Sequence, residues 1–145
     1  WVPDSNLIFT PRTKAANSEY VFNGDLYDPA YGIEPAGISY RVSFNELGFR
    51  TNSSSAPFDL VFLGDSYLQI GETDDLTLSE IVCQQSGLST FNLGRAGYGP
   101  CQYLKILEKY GRDLNAKVTL MCFFAGNDLH DTDMYIAWEK GDAGW

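Results

Sequence analysis

Phe58-Asp59-Leu60-Val61-Phe62-Leu63-Gly64-Asp65-Ser66 holds a short apolar run that stops abruptly at Gly-Asp-Ser. The run has the length and branching of a strand buried on both faces, and an amphipathic helical pattern begins a few residues later. A strand ending this way delivers a hydroxyl to the carboxyl edge of a parallel sheet, which is where open α/β sheets bind ligands. Gly64 allows a sharp turn, Asp65 can accept from nearby turn amides, and Ser66 faces the crevice. The plainer reading is turn chemistry, because all three residues are common in turns.

Downstream, the pattern alternates between strand and helix. A helix is expected over 76–86, with Leu78, Ile81 and Val82 on its apolar face and Gly87 as its C-cap. A strand over 90–93 leads into Gly94-Arg95-Ala96-Gly97-Tyr98-Gly99-Pro100. A second helix follows over 101–110, with Tyr103, Leu104, Ile106 and Leu107 available for burial and Gly111 as its stop. The run Val118-Thr119-Leu120-Met121-Cys122-Phe123-Phe124 reads as a third strand, ending at Ala125-Gly126-Asn127-Asp128, and a short helix is expected over 134–139. This β-α-β-α-β order implies a parallel sheet with right-handed crossovers. Its three polar strand ends would then lie on one edge.

Before residue 58 the chain is aromatic, polar and rich in turn formers. An irregular arm with one short strand around Tyr20-Val21-Phe22 is expected there, packed on something through its tyrosines and phenylalanines. Ile38-Ser39-Tyr40-Arg41-Val42-Ser43-Phe44 alternates as a half-exposed strand does. Asn45 to Arg50 reads as a turn re-entering the domain, and residues 51–57 as a short flexible linker. The chain thus divides into an arm, 1–57, and an α/β unit, 58–145.

The 145 residues suffice for one core, and the formal net charge of −9 repels phosphate backbones, so nucleic acid and anionic membranes are unfavourable partners. No apolar run approaches a membrane span. Three cysteines without a CxxC pair argue against a disulfide framework and a zinc site, and Cys83 and Cys122 read as buried small hydrophobes. Asp128, His130, Asp131 and Asp133 have the chemistry of a cation cluster, but a solvated acidic loop is the default for such a run. Glu72, Asp74 and Asp75 read as complements to a helix dipole.

The ordered blocks at the three strand ends resemble those of the SGNH hydrolases, the GDSL-like esterase and lipase superfamily. Gly64-Asp65-Ser66 resembles its first block, Asn92-Leu93-Gly94-Arg95-Ala96-Gly97 its second and Gly126-Asn127-Asp128 its third. Gly71-Glu72, Gly97-Tyr98-Gly99 and the preceding Asn45-Glu46-Leu47-Gly48-Phe49-Arg50 resemble a bacterial subgroup. The likeness covers roughly residues 38 to 135. It implies a three-layer α/β/α, flavodoxin-like parallel sheet, here partial with strand order 2-1-3, behind the irregular/β arm. It further implies an extracytoplasmic or membrane-anchored setting and an O-acyl ester substrate, either carbohydrate O-acetyl or small lipid ester, with no cofactor and no metal. Ser66 would be the nucleophile, and the N–H groups of Ser66 and Gly97 with the Asn127 carboxamide would form the oxyanion hole.

The family's fourth block, an Asp-x-x-His that supplies the general base, has no counterpart. The one histidine, His130, follows Asn127 by three positions. Strand order 2-1-3 would also leave the third strand as an uncovered apolar edge. Both points lead to the expectation that residues 1–145 are the front part of a longer protein, inactive alone. Transfer of an acyl group to a sugar hydroxyl, or a non-catalytic binding domain that kept the crevice, are the competing expectations.

Overall fold

A computed structural model of the chain describes residues 2–10, 18–22, 29–32, 38–51, 56–69 and 73–142. Its centre is a parallel sheet built from β5 (Leu60–Leu63), β6 (Thr90–Asn92) and β7 (Val118–Met121), ordered β6-β5-β7. Leu60 pairs with Thr90 on one side and Val118 on the other, so the strands start level and end level. The expected 2-1-3 order is therefore present.

Alternation along the strands sorts the helices between the two faces. Thr90 Oγ1 donates to the Ser79 carbonyl of α2 (Leu78–Ser86), and Asn92 Nδ2 donates to the Leu68 carbonyl of α1 (Ser66–Gln69). The intervening Phe91 and the following Leu93 join Val61 and Leu63 in a core with Tyr103 and Ile106 of α3 (Pro100–Leu114). Helices thus flank the sheet on both sides. Val61 is 0% exposed, and burying a side chain of that kind contributes about 1.5–3 kcal/mol.

Ahead of the sheet lie two antiparallel pairs. β1 (Val2–Asp4) pairs with β2 (Ile8–Thr10), and β3 (Ser18–Phe22) pairs with β4 (Ile38–Val42). The strand expected around Tyr20 runs over Ser18–Phe22, and the one expected over 38–44 stops at Val42. The β1–β2 hairpin was not legible, because three-residue strands carry no periodicity. Besides its own strand pairing it is fastened to the α/β unit. Leu7 enters the main core, Gln102 Nε2 donates to the Leu7 carbonyl (3.0 Å), Tyr135 Oη to Asn6 O (2.8 Å) and Tyr98 Oη to Phe9 O.

The turn at 45–50 forms as expected. Asn45 Oδ1 accepts from Leu47 N and Phe49 N, and Gly48 sits at φ 78°, where a side chain would be strained. Phe49 goes into the core and Arg50 onto Asp74, at 3.0 Å. Asp74 is therefore taken up by Arg50 and by Ser43 N, not by a helix dipole. Residues 52–55 of the expected linker and Gly71-Glu72 lie outside the described residues.

Three helix readings are corrected. α2 starts at Leu78 behind a Thr77 N-cap and ends at Gly87 as expected, yet Leu78 is 44% exposed while Ser79 and Glu80 are buried. The small Ser79 lets the helix sit close on Thr90, which rotates Leu78 outward. α3 runs through Gly111 to Leu114 and stops at Asn115, φ 45°. There Leu107 covers the glycine and Leu114 gains burial in the core, while Leu104 stays exposed. The last helix, α4 (Asp128–Glu139), begins well before residue 134, with Asn127 at its N-cap. Cys83, Cys101 and Cys122 are free, and Cys83 and Cys122 are half-buried rather than buried.

Candidate active site

At the carboxyl ends of the strands the backbone stays paired past the strand limits. Leu93 N donates to Phe62 O, Arg95 N to Gly64 O and Cys122 N to Leu63 O (2.7 Å). All three strand-end loops therefore leave the sheet at one level.

The first loop is tightly fitted. A Cβ on Gly64 would lie 2.7 Å from Leu68 Cδ1 and 3.0 Å from the Cys122 carbonyl, so only glycine lets α1 fold back over the sheet. Asp65 is buried and immediately precedes α1. Its Oδ1 accepts from Tyr67 N (2.9 Å), and its carbonyl accepts from Leu68 N and Gln69 N. Asp65 thus performs the turn role expected of it. Ser66 is the first residue of α1 and partly exposed, and its hydroxyl makes no hydrogen bond among the described residues.

The second loop is fixed by Asn92 and Arg95. Asn92, 0% exposed, donates to Leu68 O at 2.7 Å and accepts from Gly94 N at 2.8 Å, joining α1 to β6. Gly94 is required by that approach, since a Cβ would fall 2.3 Å from Leu68 Cβ. Arg95 is buried over the Phe49 ring, 4.5 Å from its centroid, and donates to Gly48 O. Burial brings its guanidinium pKa down to about 10. Ala96 N donates to Gln69 Oε1 at 2.6 Å, tying this loop to the last residue of α1. Gly97 follows, exposed, with φ 78°.

The third loop meets both others. Asn127 Nδ2 donates to Asp131 Oδ2 at 2.7 Å, and the Asn127 carboxamide also faces the Asp65 carboxyl. Gly99, at the end of the second loop, packs so close to the first turn of α4 that a Cβ would lie 2.9 Å from Thr132 N and 3.0 Å from Asp128 O. Asp128 is 0% exposed. It accepts from Tyr103 Oη (2.8 Å) and Phe124 N (2.9 Å), which corrects its reading as part of a solvated loop.

Burial, with the negative charges nearby, pushes the Tyr103 phenol far above its usual range, and burial followed by the charge of Asp65 raises the Cys122 thiol. Burial raises the Asp131 carboxyl against the opposing charge of His130 and the Asn127 hydrogen bond, with smaller contributions from Asp128 and Asp65.

Of the three sequence-derived site residues, Asn127 and the Asp65–Ser66 turn come together directly. Gly97 lies in a loop held to α1 by Gln69 and to α4 by Gly99, with Phe9 of β2 as its nearest side-chain neighbour. No hydrogen bond joins Ser66, Gly97 and Asn127 to one another. His130 is exposed on α4 and makes no hydrogen bond to Ser66. No group of three or more potential metal ligands occurs among the described residues. Gln69, Tyr103 and Asp128 were missed as parts of the site. An Asn-Asp pair ahead of a helix is a legible N-terminal signal, but the Tyr103–Asp128 pairing has no local trace.

No protein-family model, curated protein or solved structure matches this chain.

Proposed function

We propose that this chain carries the nucleophile and oxyanion parts of an SGNH-type serine esterase with a flavodoxin-like, three-layer fold. Such a site hydrolyses an O-acyl ester through an acyl-Ser66 intermediate. What supports the reading above all is the meeting of the strand-end loops: Asn127 faces the carboxyl next to Ser66, and Gln69 holds the Gly97 loop to the serine helix. Ser66 Oγ attacks the ester carbonyl. The charge on the carbonyl oxygen is met by the N–H groups of Ser66 and Gly97 and by the Asn127 carboxamide. Each such donor is worth about 3–4 kcal/mol of transition-state stabilisation. The positive φ of Gly97 and its missing Cβ leave that amide open to substrate.

Attack also needs a proton acceptor. Ser66 has none among the described residues, which favours a second reading, a binding domain that retains the crevice without turnover. Hydrolysis of p-nitrophenyl acetate by the complete translation product containing these residues separates the two. An esterase loses turnover in Ser66→Ala and drops roughly 10²–10³-fold in kcat in Asn127→Ala. Identical rates in wild type and Ser66→Ala exclude the esterase.

A further inference from the structure

Three acidic side chains lie within electrostatic reach of one another where the serine turn touches α4, and their hydrogen bonds do not balance. Asp128 has a donor for each carboxylate oxygen, Tyr103 Oη and Phe124 N. Asp65, 1% exposed, has Tyr67 N on Oδ1, while its Oδ2 is buried and meets no donor. Asp131 accepts from Asn127 Nδ2, and Asn127 Oδ1 is likewise buried without a partner. Among the described residues no Lys or Arg pairs with Asp65, Asp128 or Asp131.

Carboxylates within electrostatic reach of one another, two of them buried and only Asp131 facing a histidine, repel one another and lose hydration. A proton removes one charge and turns an orphaned acceptor into a donor. Asp65 is the member that needs it, because Asp128 is already met on both oxygens. We propose that Asp65 is a neutral carboxylic acid in the native protein and that this proton latches the serine turn to the Asn127 turn.

The groups facing Asp65 pull both ways: burial and Asp128 favour the neutral form, the Tyr67 N–H and the Asn127 carboxamide the charged one, and the neutral side prevails. Burial, then the charge of Asp128, pushes the Asp65 carboxyl above the usual carboxylate range. Asp131 on α4, Cys122 after β7 and Tyr103 on α3 are all shifted toward their protonated forms as well. Asp65 is thereby a positioning residue. It sets the distance between Ser66 and Asn127 and touches no substrate.

The latch has a definite pH sign. A carboxyl whose proton affinity is raised by folding contributes stability below its unfolded pKa, and that contribution is lost as pH rises through the folded value. Asp65→Asn keeps the acceptor for Tyr67 N and replaces the acidic proton with a permanent amide donor. Thermal unfolding of wild type and Asp65→Asn is compared from about pH 4 to about pH 8. The melting temperature of Asp65→Asn is expected to gain on wild type as pH rises, by roughly 3–6 °C at the upper end. The infrared spectrum of native wild type at neutral pH should show a protonated carboxylic acid carbonyl that Asp65→Asn lacks, and Glu139→Gln keeps.

Parallel melting curves, or no such carbonyl band, overturn the proposal. So does stabilisation by calcium or magnesium that Asp65→Asn abolishes, since a cation would then fill the cluster. The latch does not depend on Ser66 being a nucleophile: loss of activity in Ser66→Ala tests the esterase reading, and these melts test the proton. If both hold, Asp65→Asn also loses the alkaline decline of esterase kcat.

Discussion

The two outer strands of the parallel sheet are similar in length and opposite in burial. In β6, Thr90 and Asn92 are 0% exposed and Phe91 is 5% exposed. In β7, Val118 is 47%, Leu120 40% and Met121 59% exposed, and Phe123 beyond them is 47% exposed. The difference is what lies beside each strand. α2 covers β6 on one face through Thr90. On the other, Phe49 of the 45–50 turn meets Phe91 edge-on, with ring centroids 6.0 Å apart, and Phe58 meets it tilted at 5.1 Å. Among the described residues β7 has no such covering, although seven consecutive residues from Val118 to Phe124 carry no charge. An apolar strand is therefore a capacity for burial, and a neighbour has to use it. Uncharged uncovered edges of this sort also template pairing with other chains.

Matched truncations give the sharpest contrast. Phe91→Ala is expected to cost about 3–5 kcal/mol and Leu120→Ala less than about 1 kcal/mol by urea denaturation. Equal costs would mean that β7 is covered in solution. Next in size is the anchoring of the third loop. Tyr103→Phe leaves Asp128 Oδ1 buried without its donor, a loss of about 1–3 kcal/mol in the same assay, whereas an unchanged midpoint would show that water replaces the phenol.

The smallest effect contrasts the two ends of β5. Asp59, just before the strand, is held by the Lys117 ammonium and by Ser89, which bring its pKa down to about 2. Its folded value lies below the unfolded one, so its contribution is present above the unfolded pKa and disappears as pH falls through about 2. Asp65, just after the strand, is displaced the opposite way. Asp59→Asn should flatten the acid limb of the stability profile and leave the alkaline limb alone. A change in the alkaline limb would break the assignment.

The central strands and their ends were readable because each is a short apolar run stopped by glycine and polar residues, a signal contained within a few positions. The glycines of the serine and Asn92 loops had a local reading too, as turn formers, though the side chain that excludes a Cβ at both Gly64 and Gly94 is Leu68. Elsewhere the outcome depends on packing partners that the local pattern does not name. Gly111 looked like a stop, but Leu114 has core contacts that carry the helix past it. Leu78 looked inward-facing until Ser79 took the place against Thr90. Asp128 looked solvated because its donors, Tyr103 and Phe124, come from a helix and a strand end.

The hairpin at the front of the chain has a consequence for biosynthesis. Its anchors lie 95 positions away at Gln102 and 129 positions away at Tyr135. The hairpin therefore leaves the ribosome well before the helices that receive it. Until α4 has emerged, Leu7 has an incomplete seat, and loop closure over such spans is slow. The nascent chain must carry the hairpin unseated until α4 follows it, an interval in which a chaperone has apolar surface to shield.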